Sequence, residues 1–268
     1  QAYYDEWGEI IINGNEDVFP ASFYWRMAWW NNSMHGDDYL RQKMTLALSE
    51  ILIVSEDSKL QADAFGLASY YDVLYKNAFG NFRDLLEEVT YHPAMGYYLS
   101  FINNSPTNEE ENIHPDENYA REVMQLFTIG LYQLEIDGSI ISDEDGVPVP
   151  TYNNSDIGEF ARVFTGLGPA QYWAPWVDYS EETVEWGVWY NTVPYINSTM
   201  PMVMFEGWHE EGVKHLLNGA ATMDGATGGQ DIVTALDNLF YHQNTAPFIS
   251  KLLIQRLVKS NPTPEYIG

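Results

Sequence analysis

Phe82, Leu85, Leu86 and Val89 fall at i, i+3, i+4 and i+7, and no other local feature constrains the fold of this chain as much. Side chains at that spacing form one stripe along a helix, whereas on a strand they would scatter over both faces. Asn81 stands ahead of them as an N-cap, and Asp84 puts a carboxylate in the first turn, where the helix dipole favours negative charge. The segment is therefore predicted to be an amphipathic helix lying on a core.

Related signals recur on both sides. Phe23, Tyr24, Trp25, Trp29 and Trp30 crowd round Arg26 and predict a helix packed into the core. Asp37 and Asp38 head an apolar stretch through Tyr39, Met44, Leu46, Ala47, Ile51, Leu52 and Val54, and a further helix is predicted from about Ala62 to Lys76. Pro93 and Pro115 suit first helical turns, and the helices they open are predicted to run through Ile102 and to about Tyr132. Asp156–Phe164, Glu210–Leu217, Gln230–Tyr241 and Ala246–Lys259 complete the helical set. Strand is predicted in a hairpin over Leu134–Ile141, whose Asp137-Gly138 pair tolerates the positive φ of a tight turn, and in extended pieces at Thr183–Tyr190 and Ser198–Phe205. The expected fold is a predominantly α, multi-helical domain over residues 1–268, subdividing if anywhere near 166–200. Beginning at Gln1, the chain is read as an internal piece of a larger exported protein, its export signal upstream.

Acidic residues outnumber basic ones 39 to 12, for a formal net charge of −27. Nucleic acid is an unsuitable partner, because a phosphate backbone needs clustered Lys and Arg. No apolar run approaches the roughly 18 residues that span a bilayer. The sequence has no cysteine, which excludes disulfides and thiolate chemistry.

Behind Pro115, Asn118, Arg121, Glu122, Gln125 and Thr128 form one narrow polar stripe. It is either a solvated face with a Glu117–Arg121 pair, or a cleft wall on which Asn118, Arg121 and Glu122 bind or polarise a ligand. His92, His209 and His242 are each a cap, a core hydrogen-bonder or a base. His209 and His215 lie six residues apart, which does not fit the i, i+4 histidine pair of the zinc helix. Met200, Met202 and Met204 alternate as they would on one strand face, a core pattern that copper(I) sites also use. Asp143 and Asp145 sit in an acidic loop that lacks EF-hand spacing but could hold calcium loosely.

His92-Pro93-Ala94-Met95, Pro115-Asp116-Glu117-Asn118-Tyr119-Ala120-Arg121-Glu122, Leu126-Phe127-Thr128-Ile129-Gly130, Ala161-Arg162-Val163-Phe164-Thr165-Gly166 and Asn244-Thr245-Ala246-Pro247-Phe248-Ile249 together resemble the bacterial family called domain of unknown function 1800. The resemblance runs from about Arg41 to the end of the chain. It implies a large exported protein, often encoded beside a second exported family that resembles sulfatases, and hence work at the cell surface on polysaccharide. It transfers no catalytic assignment. Because the signature covers Asn118, Arg121 and Glu122, the stripe is expected to face the interior. There Arg121 would meet a carboxylate or carbonyls, and Glu122 a histidine, Arg162 or a cation.

Two functions follow as expectations. One is an exported scaffold that binds a glycan or a partner protein through Asn118, Arg121, Arg162, Lys214 and His242, helped by an aromatic content of 15%. The other is a hydrolase using a divalent cation, with Glu122, His92 and His209 as acid and base.

Overall fold

The computed structural model describes residues 23–57, 59–170, 172–173, 186–187 and 195–268. Helices dominate: α1 Phe23–His35, α2 Tyr39–Ser49, α3 Ala64–Lys76, α4 Phe82–Thr90, α5 Pro93–Tyr98, α6 Asn118–Gln125, α7 Asn154–Val163, α8 Gly228–Phe240, α9 Thr245–Leu257 and α10 Pro264–Ile267. Strand among the described residues is confined to two-residue pieces, with β1 Leu167–Gly168 against β4 Val203–Met204 and β2 Tyr172–Trp173 against β3 Tyr195–Ile196. The expected predominance of helix is observed. The expected extended piece at Thr183–Tyr190 lies almost wholly outside the described residues.

Side chains start these helices where the orphan N–H groups need acceptors. Asn81 accepts from the Arg83 N–H at 2.8 Å to open α4. Asp63 accepts from Gly66 to open α3, and Asn153 with Asp156, and Thr227 with Gln230, form reciprocal capping boxes on α7 and α8. The apolar stripe of α4 packs against α8 and α3, α3 also meets α1 and α2, and α6 lies on α7. One continuous core joins Leu48 to Ile249. At its centre Tyr119 is fully buried, stacked on Phe101 at 4.0 Å and edge-on to Phe164 at 4.8 Å, with its hydroxyl 2.7 Å from Thr90 Oγ1.

Several helices are shorter than their apolar runs predict. α5 stops at Tyr98 instead of reaching Ile102, and Ser100 and Asn103 follow at positive φ. α6 stops at Gln125, because the Met124 carbonyl accepts from both Ile129 and Gly130 while Gly130 turns to a φ of +71°. Any Cβ on Gly130 would lie 2.7 Å from the Phe248 ring. The helix expected over Glu210–Leu217 is absent. Gly212 takes a φ of +81°, Lys214 N–H bonds Thr222 Oγ1, and His215 bridges Ala221.

The Asp137-Gly138 hairpin forms, with Leu134 bridging Ile140 and Gly138 at a φ of +73°. It is part of a larger arrangement that the sequence reading did not anticipate. Gln133 N–H bonds the Val149 carbonyl, Val149 N–H bonds the Ile141 carbonyl, and Ile141 N–H bonds the Gln133 carbonyl, at 2.8, 3.0 and 2.8 Å. The three residues, spaced eight apart, close a ring of backbone bonds, and Gly138 and Gly146 turn the two arms between them.

Asn244, fully buried ahead of α9, holds this ring to the core. Its Oδ1 accepts from Leu134 N–H at 3.0 Å, and its Nδ2 donates to the Ile129 and Tyr132 carbonyls at 2.8 and 2.7 Å. Asn244→Ala should strand all three backbone groups and lower stability by about 3 kcal/mol, at one to three for each unsatisfied buried group with partial relaxation. Urea unfolding with an unchanged slope would show it; a midpoint equal to that of the unmutated chain would contradict it.

Candidate functional site

α1 and α3 cross with aromatic side chains at i, i+4 on each, Trp25 and Trp29 on one, Tyr71 and Tyr75 on the other. With Asn32, Gly36, Asp38 and Gln42 they line an open groove of about 410 Å³. Trp29 stands edge-on to Tyr71, ring centroids 6.2 Å apart, and Trp25 tilts against Tyr71 at 5.7 Å. Trp25 Nε1 donates to Glu56, which also pairs with Arg26, and Tyr75 hydroxyl donates to Asp38. Asp72 is exposed on the groove wall and makes no hydrogen bond or ion pair among the described residues. Indole and phenol faces beside amides and carboxylates suit a ligand with one apolar face and a rim of hydroxyls. The opening helix was expected to be core; the i, i+4 spacing of these aromatics was the available signal for a groove.

A second constellation is buried. Lys214 and Asp231 are each 1% exposed and His209 is 7%. Lys214 Nζ donates to Asp231 Oδ2 at 2.7 Å, to the Glu210 carbonyl, and to His209 Nε2 at 3.1 Å. His209 Nδ1 donates to the Thr165 carbonyl at 3.0 Å, and its Nε2 also lies 3.1 Å from Asp231 Oδ2. Ammonium and carboxylate therefore cancel, and both ring nitrogens are occupied. Asp231 Oδ1 has no partner among the described residues. Beside this cluster Arg162 pairs with Glu159 and Glu210 and donates to the Glu211 and Val213 carbonyls at 3.1 and 3.2 Å.

A third grouping surrounds His92, in a groove of about 430 Å³ with Ser69, Asp84, Glu87, Glu88 and Tyr91. His92 Nδ1 accepts the Ala94 N–H that opens α5, so Nε2 carries the proton and donates to Ser69 Oγ at 3.3 Å. A ring in that state has no lone pair with which to draw a proton from Ser69. Burial pushes its pKa down from 6.5 to about 3.

The model of a family described as protein of unknown function, DUF1800, matches residues 17–268. The chain belongs to that family. No curated protein and no solved structure matches it.

On the DUF1800 chain the resembling motifs take visible structural parts. Thr165 Oγ1 donates to the Arg162 carbonyl and accepts from Glu210 N–H, both at 2.8 Å. Gly166 lets the His209 backbone approach, since a Cβ there would lie 3.0 Å from the His209 nitrogen. His242 Nδ1 accepts from Asn244 N–H, and burial lowers its pKa. The structure thus brings Arg162, His209 and Lys214 together; Glu159, Glu210, Thr165 and Asp231, which complete the assembly, were missed by the sequence reading.

The stripe on α6 departs from expectation. Asn118 is exposed, and Arg121, with 41% of its side chain accessible, pairs at 3.0 Å with Glu117. That is the solvated i, i+4 pair, and the expected interior position of these two is incorrect. α6 is short and its buried face, Tyr119, Ala120, Val123 and Met124, is satisfied by α7, which leaves the opposite face to water. Glu122 is partly buried, which raises its pKa against the nearby Arg121, and its Oε2 has no partner among the described residues. No hydrogen bond or ion pair described joins Glu122 to His92 or His209.

Among the described residues no group of three or more His, Asp or Glu side chains is placed to hold a metal ion. Asp143 spends Oδ1 on the N–H groups of Asp145 and Val147, shaping its turn. Met202 and Met204 set their sulfurs over Gly96 and over Gly166 and Gly228, while Met200 sits in an exposed bend, so the three do not share one strand face.

Lys214→Met should cost about 3 to 5 kcal/mol by leaving Asp231 buried without its cation, and adding Asp231→Leu should restore most of the loss. A double-mutant cycle in urea measures both, and equal losses in the single and double variants would contradict the account. For His92 the unfolded ring takes a proton near 6.5 and the folded ring near 3, so its contribution is full above 6.5 and is lost as pH falls through that window. His92→Asn keeps a capping acceptor and should flatten the pH dependence of stability by about 1.4 kcal/mol per pH unit there; parallel profiles for the two proteins would refute it.

Proposed function

We propose that the chain is an exported scaffold that binds a glycan in the groove between α1 and α3. The observation that carries the reading is the pairing of Trp25 and Trp29 with Tyr71 and Tyr75 across an open cleft whose rim is Asn32, Asp38 and Gln42. Sugar rings present C–H faces that stack on indole and phenol, and equatorial hydroxyls that reach amides and carboxylates at the edge. Export rests on the family resemblance. It is compatible with the acidic composition and with the finding that no described helix is long and apolar enough to cross a membrane.

The metal-dependent hydrolase draws less support. His92 and His242 each spend a ring nitrogen on a backbone N–H, and His209 has both nitrogens engaged. Calcium at Asp143 and Asp145 stays a minor proposal resting on the acidic loop.

Trp29→Ala removes one stacking platform from a partly exposed position. It should weaken binding of soluble polysaccharide fragments by about tenfold, the equivalent of roughly 1.4 kcal/mol, measured below the unfolding midpoint, which the lost packing on Trp30 and Tyr71 should lower. Titration calorimetry against neutral, amino-sugar and uronic-acid oligosaccharides provides the test. Failure of every class to bind would overturn the proposal.

A further inference from the structure

Building on the glycan reading, we infer that the groove selects a glycan bearing free amino groups, with Asp72 as the residue that recognises the ammonium. Among the described residues the lining contains two carboxylates, Asp38 and Asp72, and no Lys, Arg or His. The two acids differ in availability. Asp38 already accepts from the Tyr75 hydroxyl, and Asp72 has no hydrogen bond or ion pair among the described residues although it stands on the same helix face as Tyr71 and Tyr75. A lone carboxylate beside aromatic faces is complementary to a sugar that carries a cation at its ring edge, where the ring stacks and the ammonium pairs.

The surrounding side-chain cations strengthen the assignment, because among the described residues none pairs with Asp72 or is placed to receive a uronate. Arg41 turns its guanidinium to the Tyr75 carbonyl at 2.9 Å and lies over the Tyr75 and Phe79 rings. Arg26 pairs with Glu56 and Lys76 with Glu88, both at about 3 Å. The net charge of −27 repels polyanions over the whole surface and raises the local concentration of cationic ones. That field alone gives attraction without a site, so the test has to separate one carboxylate from the rest.

The experiment titrates the 268-residue chain with glucosamine oligomers and with the same oligomers N-acetylated, at constant ionic strength. The glucosamine form should bind about tenfold tighter, as a charge-assisted hydrogen bond to an accessible carboxylate implies. In Asp72→Asn that ratio should collapse towards one. Glu144→Gln removes the same charge from an exposed loop away from the groove and should keep the ratio. Equal affinity for the two oligomers in the unmutated chain would overturn the inference and leave the glycan reading standing. A ratio that survives Asp72→Asn would also overturn it, since attraction would then come from the acidic surface at large. Absence of binding by either oligomer and by uncharged glycans would remove both. Asp72 is exposed and unbonded among the described residues, so its substitution tests recognition without threatening the fold.

Discussion

The buried ammonium of Lys214 holds together a part of the molecule that has no regular secondary structure of its own. Residues 205–222 contain only short 3-10 turns, and without a central partner their backbone groups would have little to pack around. Lys214 satisfies a carboxylate from α8, a carbonyl from its own loop and a ring nitrogen of His209 at once. His209 then reaches Thr165 at the end of α7, and Arg162 ties the outer side of the same loop to α7. Two helices and a loop are thereby fixed through one cation. A cluster of this kind resists partial dismantling, because each partner removed leaves the others desolvated and unpaired.

How legible this was from sequence depended on whether the deciding contacts were local. The stripe of α4, the Asn81 cap, the hairpin at Asp137-Gly138 and the helices near Asp156, Gln230 and Ala246 are written in neighbouring residues, and they form. Glu210–Leu217 has the composition of a helix start, yet its conformation answers to Asp231, seventeen residues beyond Lys214, and to Thr165 on another element. Nothing in a local window carries that information. The α6 stripe failed differently. Its polar periodicity was read correctly, but periodicity says only that a face differs from its opposite, and which face meets water is settled by packing on α7.

The candidate site shows the same division. Trp25 and Trp29, and separately Tyr71 and Tyr75, are visible as i, i+4 pairs in the sequence, but their meeting across a cleft depends on the packing of α1 against α3. The histidines, by contrast, were attractive by type alone. At His92 the imidazole occupies the N-cap place that Asn or Asp takes at other helix starts, and His242, two residues ahead of α9's N-cap Asn244, likewise accepts a backbone N–H while buried. Identity of side chain suggested chemistry where the local hydrogen bonding assigns a scaffold duty.

The ring of Gln133, Ile141 and Val149 bears on how this surface meets other molecules. Ile136, Ile140 and Val147 are more than half exposed around it, an apolar display that on an ordinary hairpin would sit beside an unpaired strand edge inviting a strand from another chain. Here the backbone at the level of the ring is spent in a closed circuit, and the flanking Pro148 and Pro150 bring no N–H of their own. The arms can offer their apolar side chains to solvent while the ring itself offers a second copy no ladder to extend. Closure by three backbone bonds at the base of two short arms does for this patch what closure of a barrel does for a whole sheet: it removes the edge.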